Sequence, residues 1–279
     1  MERPTRSSAH GRSRNHDDSR HHPFRRRPAL LHPGRRPQRP QDLNNSVPNR
    51  NPVRPARIPT YAEDCLTALA SAGLGQAISL GGAFGLLHYL DHRPTHDVDA
   101  WWSEGVSAAQ RRRVVELISG VLTGHGELRI REWGDVVSIE LRREKRTVFS
   151  FQIADRSVQL EKSVPSQWID VQLDSLNDLI ASKMVALIER GAPRDFLDIF
   201  AVCEAELATP QACWRLWHGR QERSGGSTSR SRATLAITTN LSRIELRRPL
   251  LSIANRQQRE EAERTRSWFK EEFINAGMD

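Results

Sequence analysis

The sequence predicts an α/β (α+β) protein, with a small mixed sheet flanked by helices, a helical C-terminal part and a disordered N-terminal tail. Three observations carry this. Residues 77–102 read as strand, glycine turn, helix and strand; residues 128–154 alternate in polarity as a β-meander; and from Ser175 onward apolar residues recur at helical spacing. At 279 residues the chain is long enough for one or two domains with a sizeable core.

The tail comes first. Residues 1–57 hold 14 arginines and no lysine against 4 acids, which leaves 28 basic and 30 acidic residues over 58–279, so the net charge of +8 belongs to the tail. The same stretch carries 9 of the 15 prolines and almost no periodic apolar pattern. It cannot bury enough surface to offset chain entropy, and reads as a disordered leader or an upstream extension of the start; an Arg-rich arm for RNA phosphates is the alternative. No apolar run approaches the roughly 20 residues that span a bilayer, and the first residues are too polar for a secretory signal, so no membrane partner is expected. Cys65, Cys203 and Cys213 are odd in number and irregular in spacing, which gives neither a disulfide framework nor a zinc site and makes the reducing cytoplasm the default.

The folded part is read as 58–212, a core, followed by 213–279, a helical subdomain with a flexible linker at 223–232. Thr60, with Glu63 three residues on, predicts a capping box for a helix to about Ser71, which Gly73 ends. A short strand, Ala77–Leu80, then runs into Gly81-Gly82, a helix to about Leu90, and Arg93-Pro94-Thr95-His96 leading into Asp97-Val98-Asp99. Side chains alternate along a strand, so Asp97 and Asp99 share a face while Val98 and Ala100 enter the core. Two adjacent carboxylates repel unless a cation lies between them, and oxygen donors on a rigid strand suit Mg²⁺. Glycines without Cβ let backbone N–H groups and a helix N-terminus approach phosphate oxygens. A phosphate cradle followed directly by paired carboxylates is what metal-assisted transfer from a nucleoside triphosphate requires.

Ser107–Val121 reads as a helix with Val114, Leu117, Ile118 and Val121 inward and Arg111-Arg112-Arg113 as a solvated face. In the meander, Gly134-Asp135 and Arg143–Arg146 are turns and Val148–Ile153 the last strand, whose polar face shows Ser150 and Gln152. From Ser175 to Glu189 the residues Leu176, Ile180, Met184 and Leu187 fall on one helical face, and at about 100° per residue Lys183 points into the middle of it, with Arg190 beside it. A lysine there requires an anion or a route to solvent. The next helix, opened by Pro193, has Phe196, Ile199, Phe200, Val202 and Cys203 as its apolar arc, with Asp195 inside the arc's edge and Asp198 at its border. These carboxylates either hold Arg190, Arg194 or Lys183 in a buried network, or Asp195 serves as general base or third carboxylate. Beyond Trp217, residues 237–254 and 256–276 read as helices that close over the nucleotide or recognise the acceptor.

Gly81-Gly82, Arg93-x-x-x-Asp97-x-Asp99 and Lys183…Arg190-x-x-x-Arg194-Asp195-x-x-Asp198 together resemble the AbiEii/AbiGii-type nucleotidyltransferases, toxins of bacterial abortive-infection and toxin–antitoxin pairs within the DNA-polymerase-β-like superfamily. The resemblance spans about Tyr61 to Glu206. It implies a nucleotidyltransferase-like core, Mg²⁺ on Asp97 and Asp99, and NTP phosphates on Gly81, Gly82, Arg93 and Lys183. It also places Asp195 in the essential site, with Arg190, Arg194 and Asp198 around it. The expected acceptor is an RNA or tRNA end, with a protein hydroxyl as the other possibility, and a cognate antitoxin is the expected partner. The superfamily's third carboxylate is missing where Ser150 and Gln152 stand; Glu140 substitutes if the register allows. That departure carries the alternative, a catalytically degenerate module that binds nucleotide or RNA. A dinucleotide-binding oxidoreductase is disfavoured, because Gly81–Gly85 lacks Gly-x-Gly-x-x-Gly spacing.

Overall fold

In the computed structural model, which describes residues 50–277, a seven-stranded sheet gathers segments between Ile78 and Leu173. Its strands are β1 (Ile78–Leu80), β2 (Asp97–Trp102), β3 (Glu127–Trp133), β4 (Val136–Arg143), β5 (Arg146–Ala154), β6 (Val164–Pro165) and β7 (Gln172–Leu173). They lie in the order β3-β4-β5-β2-β1-β7-β6. β2 runs antiparallel to β1 and parallel to β5, so the sheet is mixed as expected. Turn chemistry fixes the meander: Gly134 at φ 59° links β3 to β4, and Glu144 and Lys145, both at positive φ, form the tight link from β4 to β5.

The strand pattern decides what each face does. Val98, Ala100 and Trp102 of β2, with Ile139 of β4 and Phe151 of β5, pack beneath α1 (Thr60–Ser71) and α3 (Ala108–Thr123) through Leu66, Leu69, Val114, Ile118 and Leu122. A short α2 (Gly82–Leu87) leads from β1 towards β2. The remaining helices are α4 (Leu176–Glu189), α5 (Pro193–Glu204), α6 (Pro210–Ser224), α7 (Arg230–Arg247) and α8 (Arg256–Trp268). They build a second apolar cluster that joins Ile180, Met184 and Phe196 to Trp214, Ile237, Phe269 and Phe273. Trp214 is fully enclosed there, stacked on Phe273 and donating its indole N–H to the Phe273 carbonyl at 3.3 Å. Truncating such a side chain costs about 3–5 kcal/mol.

Several local expectations change. Thr60 is the first residue of α1 rather than its cap: Pro59 occupies the cap position, no side chain caps the helix, and Glu63 pairs with Arg54 at 2.6 Å. The tail expectation falls outside the described residues up to position 49. Beyond it, Pro52 and Pro55 are buried and the Val53 N–H donates to the His88 carbonyl at 2.8 Å, so this segment packs on the fold. The linker expected at 223–232 is shorter: α6 continues to a left-handed Gly225 and α7 starts at Arg230, which leaves residues 225–229 between the two helices. α7 then ends at Arg247, before Pro249. Ser107 does form the capping box of α3, with Gln110 as its partner. Among the described residues, no helix is long and apolar enough to cross a membrane.

Candidate active site

β2 alternates as its sequence requires, so Asp97, Asp99 and Trp101 point away from the α1/α3 core. The parallel register sets Asp97 opposite Ser150 and Asp99 opposite Gln152. The Ser150 hydroxyl donates to Asp97 Oδ1 at 2.7 Å. Glu140 lies one strand further, opposite Ser150, and is held by Arg131 and by Thr147 at 3.4 Å, so it does not replace a third carboxylate. Burial raises the Asp99 carboxyl above the usual carboxylate range; Lys183 opposes this and Asp97 adds to it.

Gly81 and Gly82 make room for β2 side chains. Gly82 has φ +59°, and a Cβ there would lie 2.0 Å from Asp99 Oδ2. A Cβ on Gly81 would lie 2.5 Å from Trp101 Nε1 and 3.2 Å from Asp174 Oδ2. The Gly81 N–H is bonded to the Asp99 carbonyl at 2.8 Å and is therefore not free for a phosphate, which corrects that part of the cradle expected from sequence. The residue of this turn that lines the cavity is Ala83.

The buried face of α4 carries Lys183 as its periodicity demands, and its anion is Asp198, at 2.7 Å. Asp198 is fully buried and also accepts from His92 Nε2 at 2.7 Å and from Arg93 Nε and Nη2 at 2.6 and 3.0 Å. Burial alone would raise this carboxyl, but the hydrogen bonds from His92 and Arg93 and the charge of Lys183 outweigh it and hold the group far below the usual range. Arg93, expected from the resemblance to meet the NTP phosphates, thus grips Asp198 while it also lines the cavity. One turn earlier, Asp195 accepts a bidentate pair from Arg190 at 2.6 and 3.0 Å and the Ala192 N–H at 2.9 Å. That is the structural alternative for Asp195: its carboxylate ties the turn before α5 to Arg190 and does not line the cavity. Arg194, grouped with this network from sequence, forms no ion pair among the described residues and lines the cavity instead.

These elements enclose a cavity of 290 Å³ lined by Ala83, Arg93, Asp97, Asp99, Gln152, Lys183, Arg190 and Arg194, among others. Sequence reasoning missed His92, whose only signal was adjacency to Arg93. It also missed the wall behind Gly81, where Asp174 accepts from Ser79 at 2.8 Å, from Trp101 Nε1 at 3.0 Å and from Arg156. Position 101 shares the β2 face with the aspartates, and that period-two signal was legible.

No cluster of three metal-ligating side chains occurs among the described residues. Two carboxylates and the Gln152 amide still fit Mg²⁺, which favours oxygen donors, keeps several waters and shares its coordination with substrate phosphates. The electrostatics agree, since the Asp97 charge pushes Asp99 towards protonation and a cation between them would relieve this.

Paired carboxylates beside a buried lysine and an arginine outside any ion pair, Arg194, on a mixed sheet, suit a site for moving phosphorylated groups. Residues 64–273 match the family described as nucleotidyl transferase AbiEii toxin, type IV toxin–antitoxin system. The chain belongs to this family, and is thus a nucleotidyltransferase-family toxin for which a nucleotide substrate and a cognate antitoxin are implied in general. No relative is found among curated proteins. Among solved structures the chain is similar to an antigenic nucleotidyltransferase-like protein from Paracoccidioides brasiliensis, at 14% identity and a TM-score of 0.34, covering 73% of this chain and 91% of that one.

Proposed function

We propose that this chain transfers a nucleoside monophosphate from an NTP to the hydroxyl at an RNA or tRNA end, and that this modification is its toxic act within a toxin–antitoxin or abortive-infection pair. The observation that carries the reading is the Asp97/Asp99 pair, fixed on one face of β2 and facing Lys183 and Arg194 across a 290 Å³ cavity. Asp97 and Asp99 would hold Mg²⁺, which when bound supplies polarisation of the α-phosphate and neutralises charge on the pyrophosphate oxygens. Lys183 and Arg194 attract the triphosphate, and Gln152 borders the pocket as a neutral donor and acceptor. The acceptor oxygen bonds to the α-phosphorus, the bond to the bridging oxygen breaks, and pyrophosphate leaves with the electron pair. The hydroxyl proton passes to water, because neither Ser150 nor Gln152 offers a carboxylate beside the pair.

In this scheme Asp195 and Asp198 are positioning residues. Asp198 orients Lys183 and Arg93, and Asp195 fixes Arg190 at the mouth. A role for Gly82 follows from its contact with Asp99: it lets the carboxylate sit against the α2 turn. Three free thiols support a reducing cytoplasmic setting.

Ser150 and Gln152, which stand where a third strand carboxylate was expected, favour one second reading, a nucleotide- or RNA-binding module without turnover. Label transfer separates the two. Full-length protein is incubated with Mg²⁺, each α-labelled NTP and total bacterial RNA or a protein fraction, beside Asp97→Asn/Asp99→Asn. Label on RNA that is lost in the variant supports the transferase; label on protein moves the acceptor to a protein hydroxyl. Intact NTP binding with no label from any NTP sinks the transferase reading.

A further inference from the structure

Two more cavities adjoin the carboxylate site, and arginines line the walls between them. One, of 610 Å³, shares Arg93, Pro94 and Arg194 with the site and runs between the start of α5 and the helices α7 and α8. The other, of 280 Å³, shares Arg190 with the site and Arg248 with the larger cavity, and adds Arg243 and Arg247. Arg194, Arg243, Arg247 and Arg248 are all exposed, and none forms an ion pair among the described residues. Glu261 is the carboxylate that borders the larger cavity.

This concentration of free cations is local, since residues 58–279 as a whole carry slightly more acids than bases. Helix energetics account for part of it only. Arg247 and Arg248 sit at the C-terminal end of α7, where a cation is favoured by the helix dipole. Arg243 and Arg247 are one turn apart and repel each other. Arg194 lies in the first turn of α5, the end that disfavours a cation. An external polyanion removes both conflicts. The floor between the arginines is apolar, with Leu241, Ile244 and Ile253, and the larger cavity can hold a ligand of nucleotide size.

We infer that the track Arg248–Arg247–Arg243, which starts across the larger cavity from Arg194, binds the phosphates of a single nucleic-acid strand and leads its terminal hydroxyl to the Asp97/Asp99 cavity. The inference rests on the transferase reading for its direction, because the NTP takes the carboxylate cavity and the adjoining groove is left for the acceptor. It assigns α7 and α8 to acceptor binding, not to closure over the nucleotide.

The test uses the full chain, a fluorescein-labelled single-stranded oligoribonucleotide, its DNA counterpart, and anisotropy over a salt series of roughly 50 to 300 mM. Each phosphate contact to a single strand adds about 0.7 to the salt slope, so Arg243→Gln/Arg247→Gln/Arg248→Gln lowers the slope by about 2 and weakens binding at least roughly tenfold at the low-salt end. The triple lysine variant keeps the slope, which excludes misfolding as the cause. Residues 1–49 are present in every protein, so their arginines cancel in the comparison. RNA-selective binding identifies the acceptor as RNA, and equal binding of DNA leaves the phosphodiester strand as the ligand. An unchanged slope and affinity in the glutamine variant overturns the inference, as does label transfer to protein with oligonucleotide binding unaffected. The two readings fail separately: equal label on RNA from wild type and glutamine variant keeps the transferase and removes the track, whereas a reduced slope without label keeps the track and removes the transferase.

Discussion

Asp198→Ala is expected to be among the most damaging single changes near the site, and its cost can be worked from the geometry. The carboxylate is 0% exposed and accepts from Lys183, Arg93 and His92, while the Lys183 and Arg93 side chains are 10% and 17% exposed. Deleting it leaves two nearly buried cations without their acceptor. Removing one partner of a buried pair costs about 3–5 kcal/mol. For a folded unit of this size each kcal/mol is worth about 2–4 °C, so the midpoint should fall by about 6–20 °C. Lys183→Met alone should cost less, about 1.5–3 kcal/mol, because Asp198 keeps Arg93 and His92. A Lys183→Met/Asp198→Leu double variant removes the stranded ammonium and should recover at least about 1 kcal/mol relative to the sum of the single changes. Urea unfolding followed by tryptophan fluorescence and far-UV circular dichroism reads all of these. A loss below about 1 kcal/mol for Asp198→Ala, with additive singles, would mean that Lys183 reaches solvent and that the network does not hold the site together.

Three further outcomes follow from the same contacts. Gly82→Ala forces φ +59° on a residue with a Cβ, at about 1–2 kcal/mol, and drives that Cβ against Asp99, so Mg²⁺-dependent NTP binding by calorimetry should collapse while the fold persists; unaltered binding would remove Gly82 from the carboxylate's support. Gln152→Glu places a third carboxylate opposite Asp99, destabilising the metal-free protein by about 0.2–1 kcal/mol and increasing its thermal stabilisation by Mg²⁺ over wild type, an effect chelator should abolish. The pH dependence has two parts. The depressed Asp198 group contributes stability that is full above the ordinary carboxylate value of about 4 and is lost as pH falls towards its native one. The raised Asp99 group makes stability decline as pH climbs from that ordinary value through its own, and urea unfolding across pH should lose that decline in Asp99→Asn.

What the sequence reveals is what local periodicity encodes. Alternation along Asp97–Trp102 predicted the shared face of the carboxylates, and helical spacing predicted that Lys183 would point inward; both are observed. The partner of Lys183 was less legible, because pairing depends on how α4 and α5 cross, and periodicity is silent on that. His92 was invisible for the same reason: it reaches a carboxylate 106 residues away. The glycines were misread in one respect. Gly-Gly before a helix suggested phosphate, while the three-dimensional contacts give one glycine to Asp99 and the other to Trp101. The linker was read with bounds too wide: a Ser- and Gly-rich break does lie between α6 and α7, but composition does not show that Gly225 ends one helix and Ser229 caps the next.

The site lies where the two apolar clusters meet, and this explains why so much charge is buried there. Asp97 and Asp99 ride on a strand whose other face belongs to the sheet cluster through Val98 and Ala100. Lys183, Asp195 and Asp198 ride on helices whose apolar faces belong to the helical cluster through Met184, Phe196 and Ile199. Apolar packing within either cluster cannot set the distance between them, because it is not directional. Hydrogen bonds can, and Asp198 joins Arg93 and His92 of the segment entering β2 to Lys183 of α4. The buried ion pairs therefore contribute register more than net stability, which is their best-attested use. On this argument a change in the helical core that leaves every site residue in place, such as Trp214→Ala, shifts Lys183 relative to Asp99 and lowers NTP affinity. A change in the α1/α3 layer, such as Ile118→Val, leaves that distance and the affinity intact while lowering stability by about 0.5–1.5 kcal/mol.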